Sequence, residues 1–187
     1  MQPSVPDAVT LQAQPFGLGD VQLLDSPFKA AMERNTQVLL SLDPDRLLHN
    51  ARQYAGLVPK APVYGGWESR GVAGHTLGHY LTALSQQYAA TGDPKIKARV
   101  DYIVSEMALC QEAYGDGYIG CLPPLELSTL RGLKNGVVEV HGDGFVNRAW
   151  VPWYTEHKIL AGLKDAWVLT GNQQAKAKNQ TGQQGKD

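Results

Sequence analysis

The chain has 187 residues, 43% of them hydrophobic, enough for one domain with a sizeable core. Seventeen Lys and Arg against 18 Asp and Glu leave a formal charge of −1, which removes the electrostatic case for nucleic acid or anionic membrane as a partner, and no apolar run is long enough to cross a bilayer. Cys110 and Cys121 make neither a disulfide framework nor a CxxC metal motif, and the opening MQPSVPDAVTLQAQPF has no basic or apolar region of the signal-peptide kind, so the compartment stays open.

VQLLDSPF (21–28) alternates briefly and reads as a short strand or extended arm, closing an N-terminal arm over 1–27. Phe28, Met32, Leu39 and Leu42 follow helical spacing, which predicts a helix over 28–41. In LDPDRLLHNARQYAG, Asp43 is a cap, Pro44 fits the first helical position and Gly56 lies just past the end. PKAPVYGGWES (59–69) is a Pro- and Gly-rich loop. A helix from about 73 to 91 carries Leu77, Leu81, Leu84 and Tyr88 on one stripe and stops at Gly92. Asp93-Pro94 opens the next, whose stripe is Ile96, Val100, Ile103, Met107 and Cys110, making Cys110 a core thiol. The Gly/Asp-rich stretch 115–149 is longer than a connector needs and reads as a binding loop. A last helix starts at Pro152 or Trp153, with Leu160, Leu163 and Trp167 as its stripe.

These helices repeat. LTALSQQYAATGDPKIKAR (81–99) aligns with LAGLKDAWVLTGNQQAKAK (160–178) at a constant offset of 79, pairing Leu81 with Leu160, Tyr88 with Trp167, Gly92 with Gly171 and Asp93 with Asn172. A recurring helix–TG–helix unit predicts an all-α array of stacked hairpins. The second copy runs on into NQTGQQGKD, with no apolar residue, so 173–187 reads as a disordered tail and the second hairpin as lacking its return helix. Two expectations follow: a piece of a longer protein, or a C-terminus replaced by unrelated sequence.

The chemistry centres on GHTLGHYL. His75 and His79 stand four apart, hence on one helix face. A helical metalloprotease needs H-E-x-x-H, and Thr76 occupies the glutamate position. A zinc site there, a structural hydrogen-bonded pair and a pocket wall all remain open; the repeat favours the wall. Subtracting 79 places Tyr154 of AWVPWYTEHK over His75 and His157 over Gly78, so both helices bring His and aromatic side chains to their first turns. Trp67 and Glu68 precede the first of these helices, and Trp150 and Trp153 flank the start of the second. Aromatic faces stacking on C–H surfaces, with His and Glu binding hydroxyls, suit a sugar. Glu68, Glu156 and Asp143 have the residue type for paired carboxylates, but no spacing singles one out, and helix-dipole placement accounts for Glu156 equally well. His141 and Asp143 of HGDGF read as solvated turn residues.

GGWESRGVAGHTLGHYLTALSQQYAATGD, KARVDYIVSEMALCQEAYGDGYIG and WVPWYTEHKILAGLKDAW together resemble the β-L-arabinofuranosidase family, glycoside hydrolase family 127, over about 21–172. The resemblance implies the first portion, 28–172, of an (α/α)₆ toroid. It also implies a cysteine nucleophile at a zinc site of cysteines and a glutamate, with another glutamate as acid/base. Those residues lie in segments beyond the matched region, so no catalytic residue and no metal ligand is assigned here, and zinc is expected on downstream residues. The implied role is the sugar-pocket wall: His157 foremost, then His79 and His75, with Trp67, Glu68, Trp153 and Tyr154. A carbohydrate is the expected partner. The alternatives are a non-catalytic carbohydrate-binding helical domain and a degenerate product without a function of its own.

Overall fold

The computed structural model describes residues 12–69, 72–136, 138–141, 145–146 and 149–184. Eight α-helices dominate them: α1 Pro27–Ser41, α2 Pro44–Leu47, α3 His49–Tyr54, α4 His75–Thr91, α5 Pro94–Tyr114, α6 Pro124–Arg131, α7 Pro152–Thr170 and α8 Gln173–Gln184. Short 3-10 turns lie at Leu18–Asp20, Gly66–Ser69 and Gly132–Asn135. Among the described residues the β-structure is a three-stranded antiparallel ladder of two-residue strands, β1 Val140–His141, β2 Phe145–Val146 and β3 Ala149–Trp150.

The two hairpins α4/α5 and α7/α8 are built from the same signals. Gly92 and Gly171 end α4 and α7 in the left-handed conformation, at φ 67° and 73°. Asp93 then caps α5 by accepting from the Lys95 amide at 2.8 Å, and Asn172 caps α8 by accepting from the Ala175 amide at 2.8 Å. Contacts between α4 and α7 rise in step along both helices, from Gly74 against Ile159, through Gly78 against Lys158 and Gly162, to the Thr82 hydroxyl donating to Asp165 at 2.8 Å, so the two run parallel. Gly78 and Gly162 make this possible. A Cβ on Gly162 would lie 2.6 Å from the Gly78 carbonyl oxygen, and one on Gly78 would overlap the Lys158 carbonyl. The core between them is aliphatic: Leu77, Leu81, Leu84, Ile96, Val100, Ile103, Ile159 and Leu163 are fully enclosed.

Several expectations are corrected. Residues 173–184 form a helix where composition predicts disorder, so the second hairpin does have its return helix. Among the residues whose burial is described, its inward side is formed by Ala175 and Asn179. Polar bonds replace apolar burial: Asn179 donates to the Leu160 carbonyl at 2.7 Å, Gln111 of α5 donates to the Lys178 carbonyl at 3.2 Å, and Lys178 pairs with Glu112 at 2.9 Å. The stretch 115–149 is not all loop, since α6 starts at Pro124 and anchors through buried Leu127. Among the described residues 21–24 form no strand, which leaves the extended-arm alternative, and Phe28, inside α1, is 76% exposed rather than core. The helix after Asp43 forms as two short pieces joined at buried Leu48. On α7 the buried stripe is Ile159, Leu163 and Ala166; Leu160 and Trp167 are half-buried.

Candidate functional site

The N-terminal ends of the parallel helices α4 and α7 lie side by side, and the turn Gly66–Ser69 reaches the same end. Gly74 precedes α4 at φ 96° and offers no side-chain cap. Glu68 supplies one from the turn: its buried carboxylate accepts from the Gly74 amide at 2.9 Å and from the Thr76 amide at 3.3 Å. An anion at a helix N-terminus satisfies amides that have no partner within the helix. Asn50 holds the turn by donating to the Glu68 carbonyl at 2.7 Å.

This cap positions His75. Its Nδ1 lies 2.7 Å from the Val72 carbonyl and 3.4 Å from the Glu68 carboxylate. Both neighbours only accept, so Nδ1 carries the hydrogen and, in the neutral ring, Nε2 keeps its lone pair. Around that imidazole stand Trp67 at 6.1 Å between centroids, Tyr154 at 6.0 Å and His79 at 6.3 Å. Trp150 extends the group, 6.0 Å from Trp67, and the Lys158 ammonium sits 5.0 Å above the Tyr154 ring. Burial pushes the His79 imidazole down, with the charges of Lys158, His75 and His157 acting in the same direction, so His79 is a neutral hydrogen-bonding group near pH 7. Val151, between Trp150 and Pro152, is the one non-glycine residue at positive φ (41°) among the described residues, a strained turn at the edge of this cluster.

Beside this cluster α7 borders an open groove of about 440 Å³, lined by Trp153, Glu156, His157, Leu160 and Lys164, with Asn179 of α8. A second hollow of about 340 Å³ shares Trp153, Glu156 and Leu160 and adds Tyr118 and Arg131. Between the two, Glu156 Oε1 accepts from the Tyr118 hydroxyl at 2.8 Å. The Tyr118 oxygen in turn accepts from the Leu122 amide at 3.2 Å. Gly120 makes room, because a Cβ there would collide with both Glu156 and Tyr118. Burial pushes the Glu156 carboxyl up to about 8, against the opposing pull of the Tyr118 hydrogen bond.

The structure thus sorts the sequence candidates into two groups. Trp67, His75, His79 and Tyr154 meet at the helix ends with Glu68 beneath them. Trp153 and His157 line the α7 groove, whose lining does not include His79, although the charge of His157 reaches His79. Sequence reasoning named Trp150 beside Trp153 without assigning it to the pocket wall, and it passed over Tyr118, Lys158 and Lys164. Trp150 stands three residues before Trp153 in the same block, which was signal enough; Tyr118 carried none, since its partner Glu156 is 38 residues away. Asp143 lies outside the described residues, and His141 is described only as part of β1.

Among the described residues no group of three or more His, Cys, Asp and Glu side chains is placed to hold a metal ion. Both cysteines are buried free thiols; burial pushes Cys110 up to about 11 and holds Cys121 well above the ordinary thiol range, with Glu68 and Glu156 adding to the effect at Cys121. Among the described residues these cysteines stand without the further ligands that a zinc site needs. No described helix is long and apolar enough to cross a membrane. A family model described as "Beta-L-arabinofuranosidase, GH127 catalytic domain" matches residues 20–177. No curated protein matches the chain.

Proposed function

The chain belongs to the GH127 β-L-arabinofuranosidase catalytic-domain family of glycoside hydrolases, and from that premise we propose that it supplies the sugar-pocket wall of an enzyme acting on β-L-arabinofuranosides or related sugars. The observation that carries this reading is the cluster of Trp67, His75, His79, Trp150 and Tyr154 at the shared end of α4 and α7. Indole and phenol faces stack on sugar C–H surfaces, and imidazoles bond hydroxyls. The repeat adds support. Register 78 needs glycine in the first copy to admit the α7 backbone, whereas register 157 carries His157 beside an open groove. Two parallel hairpins of one repeat are also what the start of an (α/α)₆ toroid requires, and that architecture is part of the proposal, as is a zinc centre built from residues outside this set.

Purified chain is expected to bind methyl β-L-arabinofuranoside weakly, with tryptophan fluorescence as readout. Trp67→Ala and His157→Ala should each weaken binding by about 10-fold, the scale of one stacking or hydrogen-bonding contact in a pocket. No sugar binding at all, or binding indifferent to both changes, would overturn the reading. The same chain, with zinc and reductant, is expected not to hydrolyse an aryl β-L-arabinofuranoside, because both thiols are buried and protonated and no zinc-binding group accompanies them among the described residues. Turnover that vanishes in Cys110→Ser or Cys121→Ser would identify a local nucleophile and refute that expectation.

A further inference from the structure

We propose that Glu156 is a hydrogen-bond donor to an oxygen of a neutral sugar held in the α7 groove, with Tyr118 and Gly120 as the positioning residues that aim it. The proposal rests on the sugar-pocket reading and extends it to a residue that neither the spacing of carboxylates nor the family resemblance selects.

Hydrogen-bond direction fixes where a proton on Glu156 sits. The Leu122 amide can only donate, and it donates to the Tyr118 oxygen. The Tyr118 hydrogen is therefore directed at Glu156 Oε1, which accepts it. A proton on the Glu156 carboxyl then belongs on Oε2. That oxygen has no hydrogen-bond partner among the described residues, and it is not among the buried unpartnered atoms, so it is open to a ligand. Trp153 and His157, one turn apart or less on the same helix, line the groove beside it. Trp153 is 60% exposed and offers a stacking face. Gly120 keeps the arrangement compact, since any Cβ there would push Tyr118 and Glu156 apart.

The carboxyl holds its proton through neutral pH because burial opposes its ionisation, with a midpoint of about 8. The groups facing it are Tyr118 and Cys121 from the segment after α5, Tyr114 from α5, Arg131 from α6, and His157 and Lys164 from α7 itself; α8 contributes the uncharged Asn179. Arg131 is paired with Asp116, which leaves burial the dominant influence on Glu156. A neutral acid at this position donates one hydrogen bond at Oε2, and the same group above its midpoint only accepts.

The test is a pH series of methyl β-L-arabinofuranoside binding to the intact chain, read by ligand-observed NMR from pH 6 to 10, with Glu156→Gln and Tyr118→Phe alongside. Glutamine keeps an acceptor for Tyr118 and places a permanent N–H donor at the Oε2 position. Wild-type affinity is expected to fall above pH 8, up to about 10-fold per unit where binding requires the proton. Glu156→Gln should bind with no such fall. Tyr118→Phe, which removes the bond favouring the ionised carboxyl, should move the fall to higher pH. The carboxyl ¹³C resonance of Glu156, followed without ligand, supplies the midpoint independently. Binding that is flat with pH in wild type, or that falls equally in Glu156→Gln, overturns the proposal. Where binding is lost in Trp67→Ala or His157→Ala but ignores Glu156, the sugar-pocket reading stands and this one fails; absence of binding at every pH defeats both.

Discussion

Gly78 decides how closely α4 and α7 meet. The Lys158 carbonyl occupies the space a Cβ would take, and because it is backbone within a helix it cannot swing aside. Gly78→Ala is therefore expected to destabilise the chain by about 2–3 kcal/mol, the cost of overpacking a tight core, and urea unfolding would measure it. A change below about 0.5 kcal/mol would mean that the helices part without penalty. At the same scale, His75 and His79 were legible from their spacing, which puts both rings at one helix end whatever else the fold does. Glu68 was less so. Its place near the site was readable, but its bonds to the Gly74 and Thr76 amides depend on a turn folding back onto the helix start, and no local pattern encodes that return. Glu156 illustrates the same limit: first-turn placement was explained equally well by the helix dipole, whereas Tyr118 and Gly120 from a distant segment pack against its carboxyl.

Among elements, the hairpin repeat was the most legible feature, because its signals are local: a left-handed glycine to end one helix, and Asp93 or Asn172 to begin the next. The return helix α8 was not legible, because its stability comes from outside itself. It lacks an apolar stripe, and its anchors are Asn179 on the Leu160 carbonyl, Lys178 on Glu112, and Asn172, which both caps the helix and donates to Asp101 at 2.7 Å. Asn172→Ala removes the cap and the Asp101 bond together, so α8 should lose about 1–2 kcal/mol of local stability. Amide hydrogen exchange across 175–184 is expected to accelerate roughly 5- to 30-fold, with exchange in the α4 core unchanged. Equal acceleration in α4 would mean that α8 and the core unfold as one unit. The helix α6 was hidden for a different reason: its Pro start and Gly stop were present, but they sit within a Gly/Asp-rich stretch whose composition dominates the reading.

For the whole molecule, the half-buried carboxyl of Glu156 sets an unusual dependence of stability on pH. Its midpoint is raised from 4.5 to about 8 in the folded chain. Between those values the folded state binds a proton that the unfolded state has released, so stability falls as pH rises through that window. This is the reverse of the ordinary salt-bridged carboxylate, which loses stability as pH falls. His79 acts in the opposite sense. Its midpoint is lowered, so the unfolded state takes up its proton first and stability falls as pH drops below about 6.5. His79 is largely exposed and Glu156 is not, which makes the Glu156 contribution the larger, on the order of a few kcal/mol across the window. The melting temperature of the wild-type chain is therefore expected to decline from pH 5.5 to 8.5. Glu156→Gln removes the ionisation while keeping the acceptor for Tyr118, so it should melt higher than wild type at pH 8 and show little of that decline. A variant that melts below wild type at pH 8, or that declines as steeply, would show that the Glu156 proton is not what links this fold to pH.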